Sequence, residues 1–306
     1  MQKMEGSGMN RKFMWTAIAT FALLSGCATD EKKEAWVPLE KGAHISHIHG
    51  AGFWQEDGRP VIATHTGLME YRKDGWYELT SNRHDYMGFE LVEDGFFASG
   101  HPQPDSPYEN PLGVVRGTDK GTKLEIRSLE GEADFHYMSA GYASKSLYVF
   151  LGEATKGLSP GFYRSLDQGK TFEAMDLTDA DPQAISGMLA DSSNPMRVYL
   201  FGPAGMLVSE DGGDSFEPLI ERENVLAAGA DEGHLAYVSK SGASYELTRY
   251  LLGNGARERI DVPKLSKAAI PVKVVVQDER LLLVTSDNSV YQFEGGTWTA
   301  LLDQGK

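Results

Sequence analysis

Cysteine is nearly missing: Cys27 is the only one in 306 residues. That excludes a disulfide framework and any paired-cysteine zinc or redox motif. Basic charge is also short, with 29 Lys and Arg against 44 Asp and Glu, a net charge of −15. A general electrostatic grip on nucleic acid needs a basic face, so no nucleic acid partner is expected. No apolar run reaches the roughly 20 residues of a permanent membrane span. No long amphipathic helical pattern is present either. What is plentiful is glycine, with 34 residues, and hydrophobic side chains, at 41%. That content builds a large core, not a disordered chain. The length fits two domains or one large all-β domain.

The first 26 residues read as an address. Asn10, Arg11 and Lys12 form a basic head, and Phe13 to Leu24 is an apolar run without acids. Such a run suits a secretory signal, whose apolar region is about 7–15 residues long. Met9 is an alternative start. The ending Leu24-Ser25-Gly26-Cys27 resembles the bacterial lipobox. That resemblance implies lipidation of Cys27 and loss of residues 1–26. Residues 27–35 would then be a lipidated tether, and residues 36–306 a body held at the extracytoplasmic face of the cell membrane. An acidic body gains little from anionic headgroups, so the lipid would be its anchor. Ala28 stands where an Asp often retains such proteins at an inner membrane, which favours the outer one in a two-membrane cell.

One internal repeat is clear. Ser165-Leu-Asp167-Gln-Gly169-Lys-Thr171-Phe172 matches Ser209-Glu-Asp211-Gly-Gly213-Asp-Ser215-Phe216. A worn copy runs from Gly117 through Asp119 and Gly121 to Leu124. The three Asp lie 48 and 44 positions apart, close to the 40–50 residues of a four-stranded propeller blade. The repeat resembles the Asp-box of sialidase-like and sortilin-like β-propellers. In it the Asp accepts backbone N–H groups in a tight hairpin and the Gly supplies a positive φ. Asp119, Asp167 and Asp211 are thus expected to be structural. Short apolar runs bounded by turn residues recur six times: Val61–Thr64, Phe96–Ser99, Leu147–Leu151, Val198–Phe201, Leu235–Ser239 and Leu281–Thr285. They predict an all-β, six-bladed propeller. A seven-bladed ring, closed by Trp36–Leu39 as an extra strand, is the alternative.

Seven of the eight His precede residue 137. With the strands of each blade ordered from the axis outward, His49 falls before the first inner strand. His65 follows the second strand of blade 1, and Asp85 opens the inner strand of blade 2. His101 follows the second strand of blade 2, Asp134 and His136 open the inner strand of blade 3, and Glu153 follows its second strand. All fall on the face opposite the repeated hairpins, whereas His234 falls on the other face. Convergent imidazoles suit either a metal or acid–base chemistry. The expected ligands of a divalent or soft metal, copper or zinc, are His49, His65, His101 and His136. Asp85 and Asp134 would orient imidazoles. Met87 and Met138 sit on the same inner strands, where a thioether would favour copper and core packing is the plainer role.

Together the motifs resemble bacterial Asp-box propeller lipoproteins, a group often labelled glycosyl hydrolase or sortilin-like. The resemblance implies a fold and leaves the reaction open. Sialidase activity is not expected. No Arg-Ile-Pro motif occurs, and Arg116, Arg164 and Arg197 fall away from the axis. Asp85, Asp134 and Glu153 are the candidates for a glycosidase acid and base. Sortilin-like and photosystem-assembly propellers hold peptides or proteins, so a protein, peptide or glycan ligand is the companion expectation. The leading reading is a membrane-anchored binding protein with a His-rich rim over blades 1–3. A rim hydrolase is its rival.

Overall fold

The computed structural model describes residues 34–306. The basic head, the apolar run and Cys27 lie outside them, as does most of the expected tether. Residue 35 is already docked, since its carbonyl accepts the Thr80 amide at 2.8 Å.

Six antiparallel sheets follow one another along the chain, five of four strands and one of five. They are the blades of a six-bladed β-propeller. The fifth strand, Trp36–Pro38, does not start a seventh blade. It pairs with Gly75–Leu79 on the outside of blade 1, Trp36 facing Leu79. Trp36 is 8% exposed there, which is why its apolar surface prefers a blade flank to a ring of its own. The two short 3₁₀ turns, Asp119–Gly121 and Pro182–Ala184, are the helical segments among the described residues. None of these is long and apolar enough to cross a membrane.

The second strand of each blade is the sequence's apolar run. Pro60–Thr64, Val198–Gly202 and their counterparts are covered on both faces by neighbouring blades, so they read as continuous runs instead of alternating ones. The inner strands approach each other closely. A Cβ on Gly88 would lie 2.3 Å from the Phe135 carbonyl oxygen, and one on Gly229 would lie 2.4 Å from that of Val274. Any larger residue would push two blades apart at the axis.

Blade 1 comes wholly from the N-terminal side and blade 6 wholly from the C-terminal side. No strand is shared between them, so the ring closes through side chains and a main-chain bond, from the Ile45 amide to the Gly305 carbonyl at 2.9 Å. Ile45, Phe53, Ile62 and Trp76 pack against Leu282, Val284 and Leu302. Polar contacts reinforce the seam: Trp76 Nε1 donates to the Leu301 carbonyl at 2.9 Å, and Arg280 Nη1 to that of Gly58 at 2.9 Å.

The two clear repeats form identical clasps. Ser165 Oγ donates to Asp167 Oδ1 at 2.8 Å, and the amides of Lys170 and Thr171 reach the same oxygen at 3.0 and 2.9 Å. Ser209, Asp211, Asp214 and Ser215 repeat this pattern at 2.7, 3.1 and 2.9 Å. Bonds from Thr171 and Ser165 hold the Asp167 carboxyl down at about 2, against the pull of burial. The Gly residues take φ of +79° and +95° at 169 and 213. Asp119 differs from the expectation of a third clasp. Its carboxylate pairs with Lys123 at 2.6 Å, because Gly117 stands where the other copies have the serine hydroxyl that anchors the turn.

Candidate ligand site at the axial mouth

Each of the six clustered candidate side chains sits where an inner strand begins or a second strand ends, all on one face of the ring. His49 immediately precedes Gly50–Phe53, and His65 immediately follows Pro60–Thr64. The His65 turn is pinned by the Thr64 hydroxyl, which donates to the Gly67 carbonyl and accepts the Thr66 amide. Gly67 holds φ at +106°, a conformation that glycine adopts without a Cβ penalty. Asp85 opens Asp85–Val92, and His101 closes Gly95–His101. Asp134 and His136 lie in the lead-in to Tyr137–Ala140.

These residues gather into two triads. His49, His65 and Asp85 place one ligand atom each within 4.8 Å of one another, and so do His101, Asp134 and His136. The first straddles blades 1 and 2, the second blades 2 and 3. Their construction repeats. In each, an imidazole at the end of one blade's second strand meets a carboxylate at the start of the next blade's inner strand. His65 Nδ1 faces Asp85 Oδ2 at 2.6 Å, and His101 Nε2 faces Asp134 Oδ2 at 3.2 Å. A second imidazole completes each group: His49 Nε2 lies 3.4 Å from His65 Nε2, and His136 Nε2 lies 2.7 Å from Asp134 Oδ2.

The protonation pattern leaves lone pairs facing inward. His101 Nδ1 is 2.8 Å from Asn110 Oδ1. With the ring's N–H directed to that amide oxygen, Nε2 presents a lone pair to a carboxylate oxygen. Two acceptors face each other stably when a cation or a proton lies between them. In the first triad, His65 donates from Nδ1 to Asp85, which turns its bare Nε2 towards His49. Burial lowers the His49 pKa, the neighbouring His65, His47 and His136 lower it further, and Asp85 opposes them. The net effect favours the neutral imidazole, the form that binds a metal.

Both carboxylates also have an unused oxygen. Asp85 Oδ1 and Asp134 Oδ1 are buried and find no hydrogen-bond partner among the described residues. Asp287, in the turn after the second strand of blade 6, contrasts with them: the hydroxyls of Thr285, Ser289 and Ser266 occupy both of its oxygens at 2.6–3.0 Å. Buried carboxylate oxygens left over beside bare imidazole nitrogens fit the donor set of a divalent cation. This chain has no thiolate there, so the set suits Zn²⁺ or Cu²⁺ better than a sulfur-demanding ion.

A cavity of 280 Å³ opens at this mouth of the axis, lined by His49 and His136 together with Met87, Tyr137 and Lys273. Below it, Lys273 on blade 6 and Glu90 on blade 2 form an ion pair. A larger cavity of 470 Å³ opens on the opposite face, with Glu93, Asp231, His234 and Asp278 in its lining. His234 is bonded to Asp231 at 3.2 Å.

Several sequence candidates stand elsewhere. Glu153 is exposed and belongs to neither triad. Met138 is 7% exposed within the core of blades 2 and 3, while Met87 lines the mouth. Arg116, Arg164 and Arg197 are held by Asp94, Asp214 and Glu210, clear of both triads. Two participants were missed. His47 packs edge-on against His65, with ring centroids 4.6 Å apart; its signal was the His-x-His spacing with His49. Asn110 orients His101 across nine residues of loop, and no local pattern marks it.

No family model matches the chain, and no curated protein matches it. Solved structures do. A GH74 xyloglucanase from Xanthomonas campestris superposes with a TM-score of 0.51 at 16% identity, over 87% of this chain and 46% of that one. The tricorn protease gives 0.55 at 12% identity, over 86% of this chain and 26% of its own. The nidogen/laminin complex gives 0.53 at 10% identity, over 77% and 89%. The chain thus spans less than half of the xyloglucanase and about a quarter of tricorn. These likenesses establish the β-propeller fold and nothing about chemistry.

Proposed function

We propose that this chain is a lipid-anchored, extracytoplasmic propeller that binds a divalent metal, Zn²⁺ or Cu²⁺, at its His-rich rim. One observation carries the reading. Two groups of two imidazoles and one carboxylate converge at the axial mouth, each with a buried carboxylate oxygen that no described residue bonds. A ring of packed blades holds such groups rigidly, as a preorganised site requires. Three protein ligands per group leave coordination positions open to the cavity, where a partner's side chain or a small ligand could complete the shell. The nidogen/laminin neighbour is itself a protein complex, so a protein partner at the rim is compatible with this architecture. The lipid on Cys27 supplies the membrane attachment in this reading.

The rival, a glycosidase, finds less support. Asp85 and Asp134 are each committed to an imidazole, and Glu153 stands apart.

The test is metal content. The full chain, purified in detergent without a histidine tag, is analysed by elemental mass spectrometry beside a His65→Gln/His101→Gln double variant. Near-stoichiometric zinc or copper, lost in the double variant, supports the proposal. No metal in either protein after reconstitution with Zn²⁺ and Cu²⁺ overturns it. Processing at Cys27 is checked separately, by the mass of the mature N-terminal peptide with and without Cys27→Ser.

A further inference from the structure

The two triads are built one blade apart, and one strand pair joins them. In the antiparallel pairing of Asp85–Val92 with Gly95–His101, Asp85 is the direct partner of His101. Directly opposed residues on one face of a sheet hold their Cβ atoms about 4.5–5.5 Å apart. Asp85 belongs to the first triad and His101 to the second, so the groups meet across a single strand pair. The mouth cavity gives the same answer from the other side. One imidazole from each triad, His49 and His136, lines the same 280 Å³ space.

From this arrangement we propose that the triads are the two halves of one bimetallic centre, holding two divalent cations that share the axial cavity. The proposal rests on the metal-binding reading above. The chain's own residues answer the main objection, repulsion between two cations. Each half brings its own carboxylate, and each carboxylate keeps a buried oxygen without a partner among the described residues. Asp85 Oδ2 is taken by His65, and Asp134 Oδ2 by His101 and His136. The spare oxygens are therefore the atoms free to neutralise a second charge or to span the gap. The rotational repeat of the blades explains how the pair arises. The same positions, the end of a second strand and the start of the next inner strand, carry imidazole and carboxylate at two consecutive seams. At the following seam the second strand, Leu147–Leu151, is followed by Gly152, and the next inner strand begins at Gly187. The series stops at two.

A pair differs from two isolated sites in a way that spectroscopy reads directly. The full chain in detergent is titrated with Cu²⁺ alone, with calorimetric stoichiometry and electron paramagnetic resonance followed together. The expected result is two equivalents per chain and a dipolar-broadened spectrum with a half-field transition once both are bound. His136→Gln should bind one equivalent and give a sharp, uncoupled spectrum, and His49→Gln should do the same from the other half. These imidazoles are at least partly exposed, and a matched circular dichroism spectrum for each variant shows that its fold is intact. Two equivalents with an unbroadened spectrum would overturn the pair and leave two separate metal sites. One equivalent in the parent chain would overturn it and leave a single site. No Cu²⁺ binding, together with no zinc in the elemental analysis, would remove the underlying metal reading as well.

Discussion

Replacing Lys273 by Met should make the stability of the ring depend on pH in a calculable way. Lys273 and Glu90 pair across the axis from blades 6 and 2, with side chains only 24% and 15% exposed. Burial already raises the Glu90 carboxyl above its ordinary value, and Lys273 pulls it back. Removing the cation leaves a buried carboxylate alone, which costs about 3 kcal/mol, the lower end of the range for a broken buried pair, because some water still reaches it. A second route gives the same ceiling. The variant can always escape by protonating Glu90, and adding a proton to a carboxyl of ordinary pKa 4.5 costs about 3.4 kcal/mol at pH 7 and about 0.7 kcal/mol at pH 5. The sign follows from linkage. A carboxyl whose pKa is raised in the folded state favours folding at low pH and loses that contribution as pH rises. Lys273→Met should therefore be about 3 kcal/mol less stable than the parent at pH 7 and within about 1 kcal/mol of it at pH 5. Urea unfolding of the parent, Lys273→Met, Glu90→Gln and the double variant at both pH values measures this, and other titrations cancel in the differences. The double variant should regain most of the loss. A deficit equal at pH 5 and pH 7, or one that Glu90→Gln leaves untouched, would refute an electrostatic role for the pair.

Other outcomes follow from the same geometry. Ser209→Ala strands the buried Gly213 amide, which now donates to Ser209 Oγ at 2.8 Å, and should cost about 1–3 kcal/mol; Ser165→Ala in the twin clasp should cost the same by urea unfolding. Leu282→Ala opens a cavity in the seam between the first and last blades, where Leu282 is fully buried, and should cost about 2–5 kcal/mol. His84 is 1% exposed, accepts the Gln103 amide at 3.0 Å, and burial pushes its pKa down to about 4. The unfolded chain takes up this proton first, so stability should fall as pH drops below 6.5, by about 3 kcal/mol near pH 4; His84→Asn should remove that slope. Asn110→Ala releases the His101 ring and should weaken Cu²⁺ binding about 10–100-fold in calorimetry, with the fold unchanged.

Much of the fold was legible because a propeller repeats its physics locally. Each second strand is buried on both faces, so it appears as a short apolar run whatever its neighbours. The paired Ser-x-Asp-x-Gly turns carry their hydrogen bonds within eight residues, and they fold as their sequence reads. The worn copy at Asp119 failed for an equally local reason, the missing hydroxyl at Gly117. The strand Trp36–Pro38 was harder to place. Its apolar pattern is plain, yet only its pairing partner, Gly75–Leu79, decides that it thickens blade 1 and adds no seventh.

The candidate site divides along the same line. Sequence alone determined which residues reach the rim, because strand order and strand length set the face on which His49, His65, Asp85, His101, Asp134 and His136 emerge. It also determined that residues 34–306 hold no cysteine to join them. Only the tertiary structure decided how they group. It split the six residues into two triads at successive blade seams, drew in His47 and Asn110, and left Glu153 in solvent. The reason is that strand periodicity fixes a side chain's face, while its partners are fixed by the rotation from one blade to the next and by the packing that sets that rotation.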